Sequence, residues 1–219
     1  MNTAEQNLEA LKDIRKMMER SGRFISLSGW SGIVAGICAL IGAGLANNLI
    51  QQYDLENNPT YSEIRGRYIL RDGLNLLEKE LLLLAIGVFI AACVSAFIFT
   101  YIKSRREGIA IWGSSSRRLM WNTLLPIAVG GIVILHLLDS GQHLLVAPLS
   151  LIFYGLALIN GSKYTLGEIR YLGYLEVLLG IMNLWIPGYG LTFWAIGFGV
   201  LHIVYGAAMW WKYDRNNTN

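Results

Sequence analysis

The sequence predicts an all-α polytopic membrane protein: six transmembrane helices in a bundle, preceded by a cytoplasmic amphipathic helix. Three observations predict it. Hydrophobic residues make up 54% of the 219-residue chain and charged residues only 15%, with a mean hydropathy of +0.43, whereas soluble domains carry about 25% charged residues. Long stretches hold no Lys, Arg, Asp or Glu, among them Phe24 to Gln52 and Leu81 to Ile102, and ~20 apolar residues are enough to cross a hydrocarbon core. The basic residues are unevenly divided between alternate connections.

Spans are expected at 24–47, 81–102, 119–138, 144–161, 169–187 and 190–211. The N-terminal segment contributes five basic residues: Lys12, Arg15, Lys16, Arg20 and Arg23. The second connection adds five (Lys103, Arg105, Arg106, Arg117, Arg118), the fourth adds Lys163 and Arg170, and the tail 212–219 adds Lys212 and Arg215. The opposite side carries four, Arg65, Arg67, Arg71 and Lys79, all in the loop 48–80. Fourteen against four places both termini in the cytoplasm by the positive-inside rule. Trp185 and Trp194 flank the outer turn "PGYG", while Trp121, Trp210 and Trp211 fall at inner ends, the depths that tryptophan prefers. The first apolar run is too long and starts too late for a cleaved signal peptide. Cys38 and Cys93 both lie inside apolar runs and read as packing residues rather than a disulfide framework.

Residues 1–23 form the expected cytoplasmic unit. Thr3 and Gln6 suit a capping box, and Leu8, Leu11, Ile14 and Met18 make an apolar stripe beside Lys12, Lys16 and Arg20. Such a helix lies against the inner leaflet or docks a protein partner through residues 3–23. The outer loop 48–80 is mildly acidic and too short for a domain of its own. Basic residues next to spans are explained by topology, so nucleic-acid binding is not expected. In the first span Ser28, Gly32 and Gly36 share a face suited to close helix contact in lipid. "LIFYGLAL" and "HIVYGAAM" echo one another in the fourth and sixth spans, as a duplicated hairpin would.

Two ionisable residues stand out within the spans. Glu176 lies 12.5 residues before the centre of "PGYG" and His202 lies 13.5 after it. At ~1.5 Å per residue both side chains sit ~19–20 Å from the turn, at one depth near the midplane. Isolated charges at that depth are expensive and usually pair or face the bundle interior, so Glu176 and His202 are expected to bond to each other. Gly173, Gly180 and Asn183 share the face of Glu176, and Gly199 and Gly206 share that of His202. Burial disfavours charge on either group and pairing favours it, so the sequence leaves both a structural clasp and a proton-accepting pair open. Asn122 and Asn160 lie 19 residues either side of Gly141 and read as structural.

His136, Asp139 and His143 cluster around the turn "DSGQH" and are the only candidates for a metal. They form an incomplete ligand set across a flexible turn, so no metal or other cofactor is expected. A bis-histidine haem between His136 and His202 is not expected, because their depths differ by well over ~10 Å. There is no Walker motif, nucleophile elbow or HExxH.

The stretches "DIRKMMERSGRFISLSGWSGIVAGICALIGA" and "KYTLGEIRYLGYLEVLLG…PGYGLTFWAIGFGVLHIVYG" resemble a family of uncharacterised small inner-membrane proteins of Bacteroidota. The resemblance implies the bacterial inner membrane. Some members bear the label beta-carotene 15,15'-monooxygenase, which implies an iron site built from several histidines. This chain has three, and His202 is expected far from the other two. The leading functional expectation is a non-enzymatic accessory or regulatory membrane component, exposed to partners through residues 3–23 and the outer loop, with self-association left open. The alternatives are a small, proton-coupled transporter using Glu176 and His202, and a membrane enzyme of lipid or carotenoid chemistry.

Overall fold

The computed structural model describes residues 28–57, 76–108 and 112–214. Among them every regular element is helical. In chain order these are α1 (Gly29–Asn57), α2 (Leu76–Glu107), α3 (Ser114–Asp139), α4 (Val146–Gly161), α5 (Ile169–Trp185) and α6 (Gly190–Tyr213). Five of them, α4 counted from His143, are long and apolar enough to cross a membrane. The sixth, α5, has 17 residues, which span ~26 Å. Helices satisfy every backbone group internally, as hydrocarbon demands. The amphipathic helix expected over residues 1–23, most of the loop 48–80 and the end of the tail lie outside the described residues.

Several helices overrun the expected spans. α1 continues ten residues past Asn47, and α2 starts five before Leu81. The reason is local: "NLIQQYDLEN" contains no Gly or Pro, so nothing breaks the helix where the apolar run ends. Turns are sharper where glycine permits them. Gly141 has φ 71° and sits in a Schellman turn, with Gln142 N–H donating to the Leu137 carbonyl (2.8 Å) and Gly141 N–H to that of Leu138 (3.1 Å).

The packing order differs from the chain order. α4 packs extensively along α5, and α1 equally along α6; α6 also lies against α4 and α5, α2 flanks α1 and α3 flanks α4. Glycines set the closest approaches. A Cβ on Gly173 of α5 would come 2.7 Å from the Gly155 carbonyl oxygen of α4, and one on Gly155 would come 2.6 Å from that of Gly173. Across the α1–α6 seam, a Cβ on Gly36 would come 2.6 Å from the Gly199 carbonyl, and one on Gly206 would come 2.6 Å from Ile33 N. Small residues at such crossings let backbones touch where no hydrophobic drive operates between helices. Outward faces are strongly apolar: Ile41, Leu83, Phe97, Leu125 and Ile132 are all more than half exposed, and the most apolar stretch of α2 is nowhere buried. Exposed apolar area on this scale suits lipid rather than water.

Asn160 Nδ2 donates to the Asn122 carbonyl (2.9 Å), fastening α4 to α3 near their shared end. At the same end, Lys212 Nζ and the Tyr213 hydroxyl both donate to Glu168 Oε1, at 2.6 and 2.7 Å, and join the start of α5 to the end of α6.

Candidate functional site

α6 is not a uniform helix. Gly190–Trp194 and His202–Met209 are α-helical, but Ala195–Leu201 between them forms a π-helical stretch. Its i→i+5 turns are wider than α-turns and are frequent at functional sites. The sequence "AIGFGVL" favours the distortion, because two glycines remove side chains that would otherwise pack the turn tightly.

His202 follows this stretch directly and is 7% exposed. Its Nδ1 lies 3.0 Å from the Gly197 carbonyl oxygen and its Nε2 lies 2.7 Å from the Tyr154 hydroxyl of α4. A carbonyl only accepts, so Nδ1 carries the hydrogen in this arrangement, and the neutral ring then accepts the Tyr154 O–H at Nε2. The ring is further held by Phe198, nearly parallel at 17° and 6.1 Å between centroids. Phe198 also packs 4.9 Å from both Tyr154 and Trp194.

Glu176 arrives from α5 and is fully buried, with 0% exposure. Its Oε1 lies 3.4 Å from His202 Nδ1, within ion-pair distance as the shared depth predicts, while the Nδ1 hydrogen goes to the Gly197 carbonyl. Neither carboxyl oxygen has a hydrogen-bond partner among the described residues. The group fits because position 197 has no side chain: a Cβ there would come 2.5 Å from Glu176 Oε2 and 2.5 Å from Leu151 Cδ2. The carboxyl therefore rests on a glycine and a leucine, a poor setting for an isolated charge.

The remaining candidates divide between α4 and α1. Gly173 and Gly180 on α5 press against α4, where Gly180 faces the Pro148 carbonyl and Ile152. Asn183 is 3% exposed; its Nδ2 donates to the Ile186 carbonyl at 3.2 Å, closing the helix end, while its Oδ1 is buried without a partner. Gly206 and Gly199, expected beside the pair, face α1 instead. The wider turns rotate the chain by less than 100° per residue, so His202 points to α4 and α5 while Gly199 points away; Gly206, one α-turn beyond His202, lies on the edge of that face turned to α1. Gly197 is the small residue at the pair.

The turn "DSGQH" does not assemble a ligand set. Among the described residues no three His, Cys, Asp or Glu side chains are grouped to hold a metal. His143 Nε2 is 3.1 Å from Glu78 Oε1 of α2, so that side chain ties two helices rather than joining His136 and Asp139. His202 is committed to Tyr154 and Gly197. The three histidines thus do not fit the iron centre that the carotenoid-oxygenase label implies.

Tyr154 and Gly197 are the site residues that depth-matching about "PGYG" missed. Counting from residue 165, the middle of the α4–α5 connection, would have found the first: Tyr154 lies 11 residues before it and Glu176 lies 11 after. No signal short of the three-dimensional packing marks Gly197. The chain matches no family model, no curated protein and no solved structure.

Proposed function

We propose that this chain is a six-span protein of the bacterial inner membrane, with both termini cytoplasmic, that couples proton binding at Glu176 to the movement of a cation. The observation that carries the reading is the Glu176 carboxyl: fully buried, with neither oxygen hydrogen-bonded among the described residues, 3.4 Å from a histidine whose own hydrogen bonds are made elsewhere. Intramembrane ionisable residues mark ion and proton pathways by default. The carboxyl is within 3.4 Å of His202 Nδ1 but neither oxygen accepts a hydrogen bond among the described residues, which supports exchange over a purely structural clasp.

The chemistry follows from charge balance. With a proton the carboxyl is neutral and sits acceptably on Gly197 and Leu151. Without one, a carboxylate isolated in this setting costs several kcal/mol. It is tolerable only if His202 becomes an imidazolium beside it or if a cationic group enters. Proton and cation therefore compete for one position, the basis of exchange. Tyr154, bonded to Nε2, holds the ring and gives a second group through which a proton can reach it. The π-helical stretch supplies a segment able to change its turn, since α- and π-turns interconvert by shifting one residue's hydrogen bonds.

The accessory reading rests on residues 3–23 and on the loop, which lie largely outside the described residues, so the site favours exchange. The test uses proteoliposomes with an entrapped pH-sensitive dye, an imposed pH gradient, and Na⁺ or K⁺ as the probe cation. Wild type should collapse the gradient when cation is supplied and Glu176→Gln should not. Equal rates in the two proteins, or no collapse by wild type, would refute the proposal.

A further inference from the structure

The end of the bundle that carries the α4–α5 connection holds a second feature. Ser162, Lys163, Gly167 and Arg170 line an open cleft of about 460 Å³. Two cations face it. Lys163 is exposed and makes no hydrogen bond or ion pair among the described residues. Arg170 is held in place: its Nη2 donates to the Tyr171 hydroxyl at 3.1 Å and its guanidinium lies 5.0 Å over that ring. The only acid in the connection, Glu168, is withdrawn by Lys212 and Tyr213. Glu168 is close enough to act on Arg170, but its hydrogen bonds go to Lys212 and Tyr213 and none goes to Lys163, so among the described residues the cleft keeps a net positive charge.

Its depth is fixed by aromatic residues. Tyr171, Trp211 and Trp121 belong to the same end and are 55%, 65% and 61% exposed. Large amphipathic rings exposed in this way lie at the headgroup level of a bilayer. The Asn160–Asn122 bond brings the start of α3, with Arg117 and Arg118, to this end as well. Basic pockets between helices on the cytoplasmic side accept anionic lipid headgroups.

We propose that this cleft binds the phosphate of an anionic phospholipid, with Lys163 and Arg170 as the anchoring cations; the Ser162 hydroxyl, which donates to the Ile159 carbonyl at 2.7 Å, forms only its wall. Arg170 offers its free N–H groups in a planar fork matched to two phosphate oxygens, and Lys163 adds a mobile point charge. The proposal depends on membrane insertion but not on proton exchange at Glu176, which lies six residues beyond Arg170 on α5.

The test is native mass spectrometry of the full chain in detergent, titrated with dioleoylphosphatidylglycerol or dioleoylphosphatidylcholine. Wild type should retain phosphatidylglycerol and not phosphatidylcholine. Lys163→Gln with Arg170→Gln should bind phosphatidylglycerol about 30-fold more weakly, given the contribution of each cation near anionic headgroups. Arg106→Gln, at an exposed position on α2, should bind as wild type does. The melting temperature of each variant without lipid shows that it is folded, and these side chains are exposed enough to be replaced. Equal retention of both lipids, or unchanged binding by the double variant, would overturn the proposal. Displacement of the lipid by millimolar inorganic phosphate would overturn the lipid source in favour of a soluble phosphate.

Discussion

Replacing Glu176 by methionine separates stability from function. The substitution keeps the side-chain length and removes two buried oxygens that accept no hydrogen bond among the described residues. In their place, thioether and methyl groups would meet Leu151 and the bare backbone of Gly197, both apolar. Leaving a buried polar group unsatisfied costs about 1–3 kcal/mol, and hydrophobic replacement of buried ionisable groups is often neutral or stabilising. The variant should therefore be more stable than wild type by up to that amount. For a chain of this size, about 2–4 °C of melting temperature accompanies each kcal/mol, so a rise of about 2–12 °C is expected in detergent. Intrinsic tryptophan fluorescence during a thermal ramp reads it, since the chain has 7 Trp. A double-mutant cycle with His202→Ala sharpens the result. The Nδ1 hydrogen goes to Gly197 rather than to the carboxyl, so the coupling should stay within about 0.5 kcal/mol. A fall in melting temperature for Glu176→Met, or a coupling above about 1 kcal/mol, would mean that the carboxyl makes a stabilising bond, and the idle-carboxyl reasoning would fail.

Two further outcomes follow from the packing and the surface ties. Gly173→Ala should cost about 1–3 kcal/mol as overpacking, because its Cβ would come 2.7 Å from the Gly155 carbonyl, a rigid backbone atom; an unchanged melting temperature would argue against the close α4–α5 crossing. Burial pushes the Glu168 carboxyl up, but the hydrogen bonds from Lys212 and Tyr213 outweigh it and hold the group below its ordinary 4.5. Its folded value is depressed, so its contribution is complete above 4.5 and is lost as pH falls through the folded value. Wild type should thus exceed Glu168→Gln in melting temperature at neutral pH, and the gap should close as the buffer is taken toward pH 3. A gap independent of pH would show that the ion pair contributes nothing.

The residues differ in how much of their role could be read from the sequence alone. Glu176 and His202 were legible as neighbours because a tight turn and a fixed rise per residue make depth a matter of counting. Asn122 and Asn160 were legible for the same reason, and the structure joins them at 2.9 Å. Gly199 was misplaced because counting assumes a constant angle per residue, and the π-helical stretch Ala195–Leu201 breaks that assumption; Gly206 was misplaced because a helix face is wide enough to meet two neighbours. His143 was misplaced because its partner, Glu78, lies on α2, far away in sequence.

The sequence by itself determined that the chain is helical, apolar over membrane-spanning lengths and segmented by glycine turns. These properties depend on composition and on local backbone preference, which act within a few residues. Only the tertiary structure decided which helices touch, that Tyr154 rather than Glu176 completes the hydrogen bonding of His202, and that Gly197 opens the space for the carboxyl. Those outcomes depend on side chains from α4, α5 and α6 meeting at one point. Helix order in space is set by complementary surfaces, and a linear sequence does not display them.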